Sequence, residues 1–249
     1  KIALITGASS GIGKATAVKF AAAGYNLILC GRRAERLNEL KEQLSKHVKT
    51  TTLQFDVSIK SEVDNAINSL DTNWKAIDVL VNNAGNAHGH SPIDTGDVAD
   101  WDAMIDGNVK GLLYVSKAVI PQMVERKTGH IINLSSIAGK QTYENGTVYC
   151  ASKKAVEAIS EGMRLDLTKH GIKITNVAPG AVSTEFSEVR FKGDIERANS
   201  VYEGYEPLLA EDIADVILYA ASAPNRVTIA DVTVYAKAQS APTTIYKTN

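Results

Sequence analysis

The chain has 249 residues, of which 44% are hydrophobic and 22% charged, with a net charge of -1 at neutral pH. That balance fits a globular protein with a sizeable core, and the even mixing of charge argues against a nucleic-acid surface or a polybasic membrane patch. Two cysteines, Cys30 and Cys150, are too few for a disulfide framework or a four-thiolate zinc site, and no apolar run approaches the roughly 20 residues that span a bilayer.

The expectation is therefore a cytoplasmic protein with free thiols and a small-molecule substrate, bound to neither membrane nor nucleic acid. Residues 1–5 read as a strand rather than a secretory leader, and the missing initiator Met leads us to expect a few residues ahead of them.

Short runs rich in Val, Ile and Leu alternate with longer amphipathic stretches. In chain order, strand 2–6 leads to a helix near 11–23, strand 26–30 to one near 34–47, and strand 51–55 to one near 60–71. Strand 79–82 then precedes a helix near 98–125, strand 130–134 one near 148–169, and strand 173–177 one near 210–222, before a last strand at 230–234. The strands are continuously apolar rather than alternating, as parallel strands covered on both faces are. This order predicts one α/β domain over 1–249, a doubly wound, Rossmann-like parallel sheet of about seven strands with helices on both faces. The stretch at about 180–207 lacks the pattern. It lies beyond the carboxyl end of the sixth strand, where ligands bind in open α/β sheets, so it reads as a substrate-covering insertion rather than a plain loop. The polar tail, 237–249, either frays or reaches a neighbouring subunit.

The first joint, Thr6-Gly7-Ala8-Ser9-Ser10-Gly11-Ile12-Gly13, joins a strand to a helix. Glycines there permit a tight turn and leave backbone N–H groups and the positive helix end open to a pyrophosphate. An NAD site places an acid at the end of the second strand; Leu27-Ile28-Leu29-Cys30-Gly31 has none, and Arg32 and Arg33 follow at once. A guanidinium pairs with a 2′-phosphate that a carboxylate would repel, so the cofactor expected is NADP(H) rather than NAD(H). Asp56 and Val57 close the third strand, where Asp56 either accepts from the adenine amino group or caps the next helix. Asn82-Asn83-Ala84-Gly85 ends the fourth strand; the asparagines can brace the sheet edge, and Ala84 and Gly85 leave room for the cofactor.

Tyr149-Cys150-Ala151-Ser152-Lys153 opens a long helix, and residues four apart share a face. A tyrosine with a pKa of about 10 is a poor acid–base catalyst at neutral pH, and a neighbouring ammonium would bring it toward the working range. Lys153 would also reach a cofactor ribose hydroxyl. Ser136 ends the fifth strand 13 residues before Tyr149. It can hold a substrate oxygen, or simply cap a helix. Asn108, between Gly107 and Gly111, reads as a helix irregularity or as a water-holding residue that links Lys153 to solvent. Pro179 and Gly180 end the sixth strand, with Val182 beyond them on the cofactor side and Thr184 placed to grip the nicotinamide amide. His88 and His90 lack a third ligand at useful spacing, so no metal is expected.

In order and spacing, the glycine turn, Asn82-Asn83-Ala84-Gly85, Asn108, Ser136, Tyr149-x-x-x-Lys153 and Pro179-Gly180 resemble the short-chain dehydrogenase/reductase superfamily over nearly the whole chain. The resemblance implies a catalytic tetrad of Asn108, Ser136, Tyr149 and Lys153, and a homotetramer built through the two long central helices. Glu185-Phe186-Ser187-Glu188-Val189-Arg190-Phe191-Lys192-Gly193-Asp194, Pro207-Leu208 leading into Glu211-Asp212-Ile213-Ala214, and Pro92-Ile93 with Trp101 are similar to NADP-dependent 3-hydroxy acid dehydrogenases of the serine and 3-hydroxypropionate type. Such substrates carry a carboxylate, for which Arg190 is the first candidate and Lys192 the second. The rival readings are a broad-specificity short-chain alcohol or 3-oxoacyl reductase and a non-catalytic NADPH-binding regulatory protein. A sugar epimerase would need a second domain for which the chain lacks room.

Overall fold

Residues 1–247 are described in this computed structural model. Strands β1 (Ile2–Thr6), β2 (Asn26–Gly31), β3 (Thr50–Gln54), β4 (Val79–Asn82), β5 (Gly129–Leu134), β6 (Ile172–Pro179) and β7 (Asp231–Val234) form one sheet in the order β3-β2-β1-β4-β5-β6-β7. Every pairing in it is parallel. The order reverses between β1 and β4, which opens a crevice at their carboxyl ends. Helices α1 (Gly11–Ala22), α2 (Ala34–Leu44), α3 (Lys60–Asn68), α4 (Val98–Ile105), α5 (Leu112–Arg126), α6 (Ile137–Lys140), α7 (Thr147–Leu167), α8 (Phe186–Arg190), α9 (Ile195–Ser200) and α10 (Ala210–Ser222) complete the wrapping.

Two apolar layers sandwich the sheet. One gathers Ile5, Phe20, Leu29, Leu37, Val81 and Ile217 beneath α1, α2 and α10; the other gathers Leu4, Ile28, Val63, Leu80, Val115 and Ile131 beneath α3, α5 and α7. Alternate residues of one strand feed opposite layers, as a pleat requires, so a strand buried on both faces must be apolar throughout. β7 departs from that rule: its residues alternate between exposed and half-buried, because it is the sheet's last strand.

Three sequence expectations change. The helix expected near 98–125 is two helices joined by a π-helical turn, Asp106–Gly111, which contains Gly107 and Asn108. The segment at about 180–207 is not irregular, since it carries α8 and α9. The tail folds back as a hairpin, β8 (Gln239–Ala241) with β9 (Thr244–Ile245), in which Gln239 Oε1 accepts from Ala181 N–H at 2.9 Å. Within the described residues the tail packs back on the chain beside Gly180; Thr248 and Asn249 lie outside them.

Beneath the crevice, buried amides tie the layers together. Asn82 Nδ2 donates to Ser116 Oγ and to Asn133 Oδ1, and Asn133 Nδ2 donates to Ser160 Oγ, all at 2.9 Å. This chain links β4 and β5 to α5 and α7 at the level of the crevice floor.

Candidate active site

A groove of about 540 Å³ runs along the carboxyl edge of the sheet, from the β1–α1 turn to the insertion after β6. That volume falls within the roughly 300–1,000 Å³ typical of small-ligand sites.

Its first end is the glycine turn. Gly7, Ser9, Ser10, Gly11 and Ile12 line the groove, while Gly13 packs behind them. Gly13 has no alternative there, since a Cβ would lie 2.2 Å from the Gly7 carbonyl oxygen. Ser10 makes no side-chain cap on α1, and no acid stands in the first helical turn, so the leading N–H groups face the groove uncompensated. Thr6 Oγ accepts from Asn83 and Ala84 N–H at 3.0 and 2.9 Å, and Asn83 Nδ2 donates to the Thr6 carbonyl at 2.9 Å. The asparagine thus locks β1 to β4 across the switch point.

The arginine pair divides. Arg33 turns to the glycine turn, donating through Nε to Ser9 Oγ at 3.1 Å and through Nη2 to Ser9 and Ser10 Oγ at 3.0 and 2.6 Å. Arg32 is 74% exposed and leans on Asp56 at 3.5 Å. Asp56 does not cap α3: its Oδ1 accepts from Ser58 N–H and Oγ in a local turn, and the residue preceding α3 is Ile59. Val57, Ala84 and Gly85 lie along the groove wall. The groove, its open helix end and Arg33 with the two serine hydroxyls suit a nucleotide phosphate.

At the other end, Ser136, Tyr149 and Lys153 line the same groove. Tyr149 is 8% and Lys153 6% exposed. The Lys153 ammonium lies 6.0 Å from the Tyr149 ring centroid and donates to the Leu134 carbonyl at 3.0 Å. Ser136 caps α6 by accepting from Ala138 N–H at 3.2 Å and donates to the Pro179 carbonyl at 3.4 Å, with its hydroxyl on the side of the Tyr149 phenol, whose rise it opposes. Burial pulls the Lys153 pKa down to about 8.

Burial also pushes the Tyr149 phenol above its ordinary range, opposite to the expected lowering. The cation that opposes this rise is Arg190, with its guanidinium carbon 5.5 Å from the Tyr149 ring centroid. Lys153 is turned instead toward the Leu134 carbonyl.

Asn108 is buried outside the groove lining, behind Gly85. Its Oδ1 accepts from Asn86 N–H at 2.7 Å, and its Nδ2 donates to the Asn86 carbonyl at 2.8 Å and to Ser152 Oγ at 3.0 Å. Both amide protons are used, which leaves one Oδ1 lone pair for a water. The side chain chiefly holds the Asn86 loop, and the π turn is what aims it there.

Pro179, Gly180, Val182 and Thr184 form the far wall. Glu185, Phe186 and Val189 of the insertion line the groove, whereas Arg190 lines a smaller pocket beside it with His88, His90 and Tyr149, and its backbone carbonyl accepts from Gly89 N–H at 3.0 Å. Arg190 Nη2 donates to Tyr143 Oη at 2.9 Å, while its Nε is buried without a partner. Lys192 is not part of the groove: it pairs with Asp100 at 3.0 Å and Asp97 at 3.7 Å on the outer surface. His88 and His90 flank Gly89 in the loop beneath, where burial lowers both pKa values. Tyr143, Asn86, Ser152 and Glu185 carry no individual role in the sequence reading, although Ser152 and Glu185 fall within stretches that it names. Only Tyr143 carries a signal, as an aromatic residue in the loop before Tyr149.

The family model for short chain dehydrogenase matches residues 1–194. An NADP-dependent 3-hydroxy acid dehydrogenase of Salmonella typhi is 44% identical over 240 residues, covering 96% of this chain and 96% of its own. A sulfoacetaldehyde reductase of Chromohalobacter salexigens is 44% identical over 229 residues, covering 92% and 91%. Among solved structures, the closed form of a serine dehydrogenase complexed with NADP+ superposes with a TM-score of 0.93 at 41% identity, covering 96% of each chain. Serine dehydrogenase from Escherichia coli gives 0.84 at 36% identity, over 96% of this chain and all of that one.

Proposed function

Because the chain belongs to the short chain dehydrogenase family, we propose that it is an NADP-dependent oxidoreductase that interconverts a short 3-hydroxy acid, of the serine or 3-hydroxypropionate type, with its carbonyl form. Similarity to the 3-hydroxy acid and serine dehydrogenases supports this reading. The observation that carries the substrate class is Arg190, a guanidinium with a buried, unpartnered Nε beside the Tyr149 ring. A buried donor without a partner costs free energy unless a ligand supplies the acceptor, and a carboxylate fits a guanidinium fork. Tyr143 holds that fork in place.

NADP(H) would lie along the groove, its pyrophosphate on Gly7, Ser9, Ser10, Gly11 and Ile12 with Gly13 behind, and its 2′-phosphate on Arg33, with Arg32 at the rim. Asp56 and Val57 would face the adenine, and Asn83, Ala84, Gly85, Tyr149 and Lys153 the riboses. Pro179, Gly180, Val182 and Thr184 would face the nicotinamide, and the bound cofactor would supply a hydride to the carbonyl carbon in reduction and accept it back in oxidation. In reduction, the Ser136 and Tyr149 hydroxyls hold the carbonyl oxygen and steady its developing charge. Tyr149 gives its phenolic proton to that oxygen, and in oxidation takes it back. Lys153 supports the resulting phenolate, and Asn108, through Asn86 and Ser152, fixes the wall behind it. The 180–207 insertion then acts as a lid that excludes water. Leu113 on α5 and Leu165 on α7, 40% and 75% exposed, give these helices apolar surface that a homotetramer would cover.

The likeness to a sulfoacetaldehyde reductase favours a second reading, in which the anionic head is a sulfonate. Initial rates with NADP+ over L-serine, 3-hydroxypropionate, isethionate and neutral alcohols of equal length separate these readings. We expect the carboxylates to lead, and Arg190→Ala to raise their KM about ten- to a hundredfold while sparing neutral alcohols. Equal rates on neutral alcohols would instead identify a broad-specificity reductase.

A further inference from the structure

Glu185, immediately before α8, lies between two guanidiniums. Its Oε2 accepts from Arg33 Nη1 at 2.9 Å and its Oε1 from Arg36 Nη1 at 2.7 Å. The donors belong to the β2–α2 joint and the first turn of α2, whereas Glu185 belongs to the insertion on the opposite side of the groove. Arg33 is the residue that also reaches Ser9 and Ser10. Two guanidiniums and two hydroxyls thus converge beside the open end of α1, and the anion they hold is the protein's own.

We propose that Glu185 is a determinant of cofactor choice, an internal carboxylate that competes with a nucleotide 2′-phosphate for Arg33 and Arg36. The inference rests on the assignment of Arg33 to the 2′-phosphate. In the structure Arg33 spends Nε and Nη2 on the serines and Nη1 on Glu185, so a phosphate that engages it through two donors must displace one of these partners. The serines belong to the turn that cradles the nucleotide and stay with it. The carboxylate is the partner whose charge a phosphate repels, so it is the one that leaves. The Arg33 and Glu185 side chains are 41% and 40% exposed, so their ion pair is weak enough to exchange. An unphosphorylated nucleotide makes no demand on these arginines and leaves Glu185 in place. Removal of its charge should therefore strengthen phosphate-bearing ligands alone.

The test is calorimetric titration of the full chain with adenosine 2′,5′-bisphosphate and with 5′-AMP. Glu185→Gln should bind the bisphosphate about three- to tenfold more tightly at low salt, with 5′-AMP unchanged. The gain should vanish in the Glu185→Gln/Arg33→Ala double variant. Equal tightening of both ligands would mean that the ion pairs merely bar the groove, and weakening would mean that Glu185 straps the nucleotide in; either result overturns the proposal. If Arg33→Ala alone leaves the ratio of the two affinities unchanged, the placement of the 2′-phosphate is what fails.

Discussion

Lys153 and Tyr149 stand one helical turn apart on α7, yet the ammonium, 6.0 Å from the phenol ring, is anchored on the Leu134 carbonyl rather than aimed at the phenol. Burial acts on the two groups in opposite directions, since it disfavours the charged form of each: the lysine pKa falls to about 8 and the tyrosine pKa rises. At pH 7 both carry their protons, which is the state that reduction requires. Above about 8 the lysine becomes neutral and the phenolate left by proton transfer loses its support. NADPH-dependent reduction should hold a flat kcat/KM from about pH 6 to 7.5 and decline above about 8, whereas oxidation, which needs the phenol deprotonated, should climb with pH. A reduction profile flat to about pH 10 would contradict this.

The two adjacent arginines should not be equivalent. Arg33 is engaged by the glycine-turn serines, while Arg32 lies largely in solvent. Arg33→Ala should weaken NADPH about ten- to a hundredfold and NADH little, as loss of a charge-assisted contact implies. Arg32→Ala should cost several-fold less. Fluorescence titration of both cofactors checks this, and equal losses in the two variants would remove the distinction.

His130, on β5 and 3% exposed, donates or accepts at Nε2 with Thr175 Oγ at 2.7 Å, and burial lowers its pKa from 6.5 to about 3. The unfolded chain binds a proton near 6.5 that the folded chain refuses until about 3, so stability is intact above 6.5 and drains as pH falls through that window. The loss should approach about 1.4 kcal/mol per pH unit. Urea unfolding between about pH 7 and 4.5 should show this slope in the wild type and a shallower one in His130→Gln; parallel slopes would refute it.

The Asn82–Asn133–Ser160 chain joins sheet to helices directly under the site. Asn133→Leu keeps the branched shape but removes these bonds, and the weaker one from Nδ2 to Met163 Sδ at 3.8 Å, at a cost of about 1–3 kcal/mol. Thermal unfolding should show the lower midpoint, and kcat should fall too, because α7 carries Tyr149 and Lys153. A variant as stable and active as the wild type would show that the chain is dispensable.

Much of the fold was legible because strands buried on both faces must be continuously apolar, and residues 2–5, 27–30 and 79–81 are. The glycine turn and the Tyr149–Lys153 spacing were legible because backbone approach and helical periodicity leave local marks. What local pattern could not carry was long-range. The π turn at Asn108 shows in the sequence only as a helix irregularity between two glycines, without the partners Asn86 and Ser152 to which it aims the side chain. Nothing in the vicinity of Glu185 announces that Arg33 and Arg36, about 150 residues earlier, are its partners. The rise in the Tyr149 pKa likewise depends on enclosure, which a sequence spacing does not encode. Arg190 and Lys192 are two residues apart and alike in charge, and only the course of the chain through α8 sends one to Tyr149 and the other to Asp100.

The most direct test is Tyr149→Phe, measured for NADPH affinity and for turnover of a 3-oxo acid in the same preparation. NADPH should bind within about tenfold of the wild type, the cost of one ribose contact, while kcat falls by about 10²–10⁴ with the loss of the proton donor. Turnover undiminished in the variant would mean that the phenol transfers no proton, and the account would fail at its centre.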